Sequence, residues 1–446
     1  MWLAEAGGLR ILFDPLLDNH FFGDVFRVYP SRTLHVEALK PDFIVVSHRH
    51  PDHFDAQSLH RLAQLDPDTV LITSEPFIAE TCKALGFRTT AVADAFYRVG
   101  LTGGVTMLTT PSHGGPGADP EWGIMVATED GVAWNQVDTI HGAVADVEAT
   151  LGAAQEALGQ TRWPIALALA RWLPMREVEP LIGEATHFPW EDYSALLEQV
   201  AAIGAHTVVP GAGGQRHAAP FDMMNQRVYP VGSERFVRDY HDRTRRHAAV
   251  AEIGAVWRIH DGMASRDGQS SLAEATETEL PPDFRPTSGL PPLVDPGHPD
   301  VSEERLRRRC ESWVRDDLAN ALRADLGTGD DMHLCCLRIV HATDEQCFTL
   351  AKTGNDVSVF EGYDAGYDVY NEVAGSMLYD VIEGRRHWGE PLLAGMLRAS
   401  HRSYRARWNR PLQRTSVGII FLYHALSYQE SQERAVRSYL ATIDGV

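Results

Sequence analysis

The run "FIVVSHRHPDHFD" (43–55) constrains this chain more than any other stretch. Phe43 and the β-branched Ile44, Val45 and Val46 read as a buried strand. His48 and His50, two positions apart, project to the same side at its end. Pro51 breaks the strand, and Asp52 and His53 come from the turn that follows. Four donor side chains thus converge within six residues, a mix of imidazole and carboxylate that suits zinc, iron or manganese. A solvated His-rich turn, or a helix cap made by Asp52, is the plainer reading. Four ligand-type residues behind a buried strand are costly to align by accident.

Around this run, short β-type segments alternate with helical ones. "RILFDP" (10–15), "DFIVVS" (42–47), "TVLIT" (69–73), "GVTMLTT" (104–110), "WGIMVAT" (122–128), "IALALA" (165–170) and "HTVVP" (206–210) are each bounded by Gly, Pro, Asp or Ser. Helical patterns cover 56–65, 77–86 and 190–204, the last with Tyr193, Leu196, Leu197 and Val200 on one face. Such alternation predicts an α/β layered domain over 1–232 with its site at the strand ends. Residues 233–300 read as a connecting segment, helical and charged to about 265 and then Pro-rich, with seven prolines in 280–300. Residues 301–446 predict a smaller α+β domain. It has a helix behind a Ser302 N-cap, β-runs at 332–340, 347–351 and 357–360, and a helix over 370–384.

Composition narrows the function classes. The net charge of −21 repels phosphate backbones, so nucleic acid is not the expected partner, although a local basic pocket can still hold an anionic substrate. No apolar run approaches the ~18 residues of a membrane span, and the first residues lack the pattern of a secretory signal. Five cysteines with no CxxC pair fit a reducing cytoplasm and argue against a cysteine zinc site.

H-x-H-x-D-H at 48–53 resembles the signature of the metallo-β-lactamase superfamily. Later strand ends follow the family's order: "FDP" with Asp14, "TTPSHGGP" with His113, and "WNQVDT" with Asp138. The resemblance implies an αββα sandwich holding one or two divalent metal ions. Site one would be His48, His50, His113 and Asp138; site two would be Asp52, His53 and Asp138; Asp14 would support them from behind. The family's last histidine is missing, because "VVPGAGG" (208–214) places Ala212 there. His187, His217, His141 and His206 are the candidates to replace it or to touch substrate. "GEATHFPW" followed by "VVPGAGG" resembles the β-lactamase-like domain of CMP-N-acetylneuraminate hydroxylases, and "ILFDP" is shared with ascorbate-6-phosphate lactonase-like proteins. No Rieske C-x-H…C-x-x-H pattern is present. Residues 301–446 resemble a sterol-carrier-protein-2 module, in which Trp313, Trp388, Trp408, Tyr363 and Tyr370 would line an apolar pocket.

Three functions are open at this point. A metallo-hydrolase would use metal-activated water on a small-molecule ester, lactone, amide or phosphoester. Asp52 or Asp138 would orient the attack, and backbone N–H groups of "SHGGPG" would hold an anion. A non-haem iron oxygenase would use the open coordination positions and an external electron donor. A degenerate binding module would do neither. A homodimer through the C-terminal domain is compatible with all three.

Overall fold

The computed structural model describes residues 1–114, 120–159, 164–276, 284–286, 289–325, 333–401 and 420–443. The apolar runs form strands within two residues of where their patterns end: Leu9–Phe13, Phe43–Val46, Val70–Thr73, Thr106–Pro111, Trp122–Thr128, Ile165–Ala170 and Thr207–Pro210. Between them the helix Ala56–Leu65 starts on Asp55, whose carboxylate accepts the Ser58 N–H at 2.8 Å. The helix Trp190–Ile203 stops at Gly204, where φ is +69° and a side chain would be strained.

The strands build two sheets. The first runs Trp2–Ala6, Leu9–Phe13, Phe43–Val46, Val70–Thr73, Thr89–Val92, parallel except for the first pair. The second has seven strands in the order His247–Ala248, Thr207–Pro210, Ile165–Ala170, Gly131–Asn135, Trp122–Thr128, Thr106–Pro111, Arg98–Gly100. Its first four are mutually parallel and the rest antiparallel. Apolar residues from both sheets meet in one core: Ile11, Phe13, Val45 and Ile72 from the first, Met107, Trp122, Ile124 and Val126 from the second. The helix Pro76–Ala84 packs beside the first sheet with Ala56–Leu65 against it, and Val144–Leu158, Trp190–Ile203 and Ser233–Thr244 pack beside the second. The layer order is helix, sheet, sheet, helix, as the resemblance implies.

The domain boundaries differ from the sequence reading. One compact unit comprises Met1–Met175, Phe188–Ala218 and Tyr229–Phe284; the other comprises Arg176–His187, Ala219–Val228 and Arg285–Val446. Residues 233–284 are therefore part of the sandwich unit and not a connector. Among its described residues only Ser233–Thr244 is helical; Ala255–His260 and Met263–Gln269 form a hairpin. Trp257, Ile259 and Ala264 of that hairpin cover Leu167, Leu169 and Val209, while charged Arg258, Arg266 and Asp267 face water and mimic a polar helix in the sequence.

In the second unit, Ser302 caps the helix Glu303–Trp313, accepting from Arg305 N–H at 3.4 Å. A five-stranded sheet follows in the order Asp356–Glu361, Glu345–Thr353, His333–Val340, Val369–Ala374, Leu397–His401. Residues 370–374 are strand and not the start of a helix. Val369–Ala374 is buried between two neighbouring strands, but its Asn371 and Glu372 interrupt the apolar pattern of a buried strand, and the helix begins only at Gly375. Trp313 and Trp388 fill the solid core instead of lining a pocket, Tyr363 is exposed, and Trp408 lies outside the described residues. Among the described residues no helix is long and apolar enough to cross a membrane.

Candidate metal centre

The chain bends sharply after two strands of the first sheet and places donors side by side. Asp14, directly after Leu9–Phe13, has φ +46°, a conformation that aspartate tolerates better than most residues. Its N–H donates to Val45 O at 2.8 Å, which ties it to the neighbouring strand. Its carboxylate accepts the Ser47 N–H at 2.8 Å and the Ser47 hydroxyl at 3.1 Å. Ser47 Oγ is in turn 2.9 Å from His48 Nδ1, and Asp14 Oδ2 is 3.0 Å from His53 Nδ1. One carboxylate thus fixes both imidazoles. With His48 Nδ1–H donating to Ser47 Oγ and His53 Nδ1–H to Asp14, both Nε2 atoms point away from this anchor.

The second sheet supplies the facing group. Asp138 follows Gly131–Asn135 through a turn in which Val137 has φ +55°, an unusual conformation for a β-branched residue and one found where surrounding structure enforces it. Asp138 Oδ2 lies 3.0 Å from His53 Nε2, and Asp52 Oδ2 lies 3.3 Å from the same nitrogen. His48 Nε2 stands 2.9 Å from His50 Nδ1. Ligand atoms of His48, His53 and Asp138 all fall within 4.8 Å of one another. Donors around a tetrahedral zinc, with bonds of about 2.0–2.1 Å, stand about 3.4 Å apart. Two imidazoles with their far nitrogens tied and one carboxylate at this spacing fit a divalent cation.

The charges suit the same purpose. Burial, reinforced by the neighbouring His53 and His50, pushes His48 down to about 3, so its ring is neutral and can offer a lone pair. Burial opposes a charge on His53, but the Asp52, Asp138 and Asp14 carboxylates outweigh it and hold its pKa well above the ordinary histidine value. Burial likewise works against ionised Asp138, yet His53, His48 and His50 hold that carboxyl well below its usual range. Without a cation, then, a proton on His53 balances the carboxylates.

Other sequence-predicted residues lie elsewhere. His113 is exposed, its N–H donates to Ile140 O at 2.7 Å, and its Nε2 is 3.3 Å from Thr150 Oγ1. Its ring faces His141 at 5.5 Å, and it is not among the gathered donors. The cause is a local clamp, because Ile140 N–H also donates to Ser112 Oγ at 2.9 Å and fixes the loop after Thr106–Pro111. His217 is buried against Phe26, ring centroids 4.5 Å apart, on a strand paired with Phe26–Val28. His206 is exposed at the start of Thr207–Pro210, the edge opposite Ala212, and His187 is an exposed residue of the second unit. Residues 115–119, including most of the glycine loop after His113, lie outside the described residues. Asp130, His260 and Asp261 also gather, but on exposed turns where such pairs contribute little.

Sequence reasoning missed Ser47, Glu121 and Arg171. Arg171 carries one legible signal, a polar residue directly after a buried strand of the second sheet.

Two facing sheets with outer helices, and an H-x-H-x-D-H turn opposed across them by Asp138, decide the architecture. The first unit has the metallo-β-lactamase fold. No family model matches the chain. A stretch of 67 residues is 39% identical to the mitochondrial N-acyl-phosphatidylethanolamine-hydrolyzing phospholipase D of Saccharomyces cerevisiae, spanning 13% of this chain and only 14% of that protein. Among solved structures, a possible metal-dependent hydrolase of Veillonella parvula is 16% identical, with 59% of this chain and 94% of that one covered, at a TM-score of 0.38. CmlA, a diiron β-hydroxylase of Streptomyces venezuelae, is 15% identical over 59% of this chain and 52% of its own, at a TM-score of 0.37.

Proposed function

We propose that this protein is a metal-dependent hydrolase whose cation is held by His48, His53 and Asp138, with His50 and Asp52 beside them. The observation that carries this reading is the shared anchor: Asp14 and Ser47 occupy both Nδ1 atoms and leave both Nε2 atoms facing Asp138 and His50. A divalent cation at such a place supplies Lewis acidity and makes water acidic near neutral pH, from about 16 to about 7. The chain's own groups supply the rest. Asp138 and Asp52 stay ionised and accept a proton or orient the attacking water, and His53 must lose its extra proton before it binds a cation. Hydrolysis needs no further redox group.

A second reading rests on the same set. Two histidines and one carboxylate with open positions also suit non-haem iron and oxygen chemistry. This would require an electron donor from outside the chain. The preference for hydrolysis leans on the chemistry common to the fold and carries that weight alone.

The test is metal analysis of protein purified without added metal, joined to assays on simple esters, lactones and phosphodiesters. Zinc with hydrolysis that vanishes in His48→Ala supports the proposal. Iron with oxygen-dependent turnover selects the second reading. Protein that retains no metal from any preparation overturns both.

A further inference from the structure

Two polar side chains on the Asp138 edge of the second sheet find no hydrogen-bond partner among the described residues. Arg171 directly follows Ile165–Ala170. Its N–H donates to Gln136 Oε1 at 3.1 Å, and Gln136 N–H donates to Leu169 O at 3.0 Å, so it stands beside the segment that carries Asp138. Its guanidinium is half-buried, and among the described residues it meets no carboxylate or carbonyl at ion-pair or hydrogen-bond distance. That is unusual in a chain with 61 acidic and 40 basic residues, where Arg10, Arg49 and Arg258 all pair with acids. His141 is only 5% exposed, and among the described residues neither ring nitrogen has a hydrogen-bond partner. Buried polar atoms left unpaired call for an explanation such as an unseen ligand.

The two lie close enough for the Arg171 charge to act on His141 and also on Glu121, which in turn feels Asp138 and His50. Burial, with His113 beside it, pushes His141 down to about 4, so at neutral pH it keeps one N–H to donate. A guanidinium grips carboxylate or phosphate through two parallel N–H bonds, and a neutral imidazole adds a third donor without further charge.

We propose that Arg171 and His141 form an oxyanion-binding subsite beside the metal centre, and that the substrate carries a carboxylate or phosphate next to the group that reacts. This rests on the metallo-hydrolase reading. The test is calorimetric titration of inorganic phosphate and of benzoate into wild type, Arg171→Gln, Arg171→Lys and His141→Ala. Each is titrated both chelated and zinc-loaded, with zinc content and melting temperature measured in parallel. The expected result is intact zinc content in every variant and anion binding about tenfold or more weaker in Arg171→Gln, partly restored by Arg171→Lys. His141→Ala should weaken binding by a smaller factor. Unchanged anion affinity in a folded, zinc-bearing Arg171→Gln overturns the subsite and leaves the hydrolase reading standing. Loss of zinc in His141→Ala overturns His141's place in the subsite, making it a ligand instead. Wild type that takes up no metal overturns the reading beneath.

Discussion

Asp14 offers a decisive test, because replacing it by asparagine or by alanine should separate metal affinity from stability. The carboxylate accepts the Ser47 hydroxyl at 3.1 Å and lies 3.0 Å from His53 Nδ1. An asparagine keeps an oxygen for the Ser47 N–H, now bonded at 2.8 Å, and tolerates the φ of +46°. Its NH2 group, placed where Oδ2 was, donates to His53 Nδ1 and to Ser47 Oγ. That reverses both tautomers and moves protons onto the two Nε2 atoms that face the metal position. Partners of this kind are typically worth about 10–100-fold in metal affinity, or about 1.4–2.7 kcal/mol, and imposing the wrong tautomer puts Asp14→Asn at the upper end. Asp14→Ala only removes the bias, so its zinc affinity should fall less. It leaves the fully buried Ser47 with an unpaired N–H and with a hydroxyl hydrogen that has lost its acceptor, however, so its stability should drop by about 1–3 kcal/mol. Zinc competition against a chromophoric chelator measures the first effect and urea unfolding of chelated protein the second. Wild-type zinc affinity in Asp14→Asn, or tighter binding by asparagine than by alanine, would refute the tautomer argument.

Asp138→Ala should abolish zinc retention and turnover together, read by metal analysis and hydrolysis assays, since it removes the one gathered donor supplied by the second sheet. In chelated protein the raised His53 stabilises fully below its unfolded value of about 6.5, and that contribution is lost as pH rises through its folded value. The lowered Asp138 and Asp52 contribute above about 3.8 and lose their contribution as pH falls through their folded values. Urea midpoints across pH should therefore favour wild type over Asp138→Asn most strongly between these limits, and a flat difference would contradict the assignment. Zinc uptake should release about one proton from His53, so affinity should rise with pH, as calorimetry in buffers of different ionisation enthalpy would show. In the second unit, Trp388→Ala removes a fully buried indole whose Nε1 donates to Leu426 O at 2.6 Å, and should cost about 3–5 kcal/mol in urea unfolding.

Local chemistry made part of this architecture legible. The stretch 43–55 announced its strand and its donors because both act over short range, whereas the helix cap falls on Asp55 and not on Asp52. Asp138 was found at a distance because "WNQVDT" stands in the order of strand ends that the H-x-H-x-D-H resemblance implies. His113 also stands just beyond a strand, but the two-way clamp between Ser112–His113 and Ile140 decides where its ring goes, and no spacing rule encodes that pairing. The helix Val144–Leu158 escaped notice because its alanines and Gly152 blur the apolar stripe. Val369–Ala374 was misread because its buried Asn371 and Glu372 interrupt the apolar pattern of a strand.

His48, His53 and Asp14 belong to the turns of one sheet, whereas Asp138 belongs to the other. A cation shared among them is therefore a rivet through the seam of the sandwich. Its removal should be felt first as faster amide exchange along that seam, before either sheet loosens within itself.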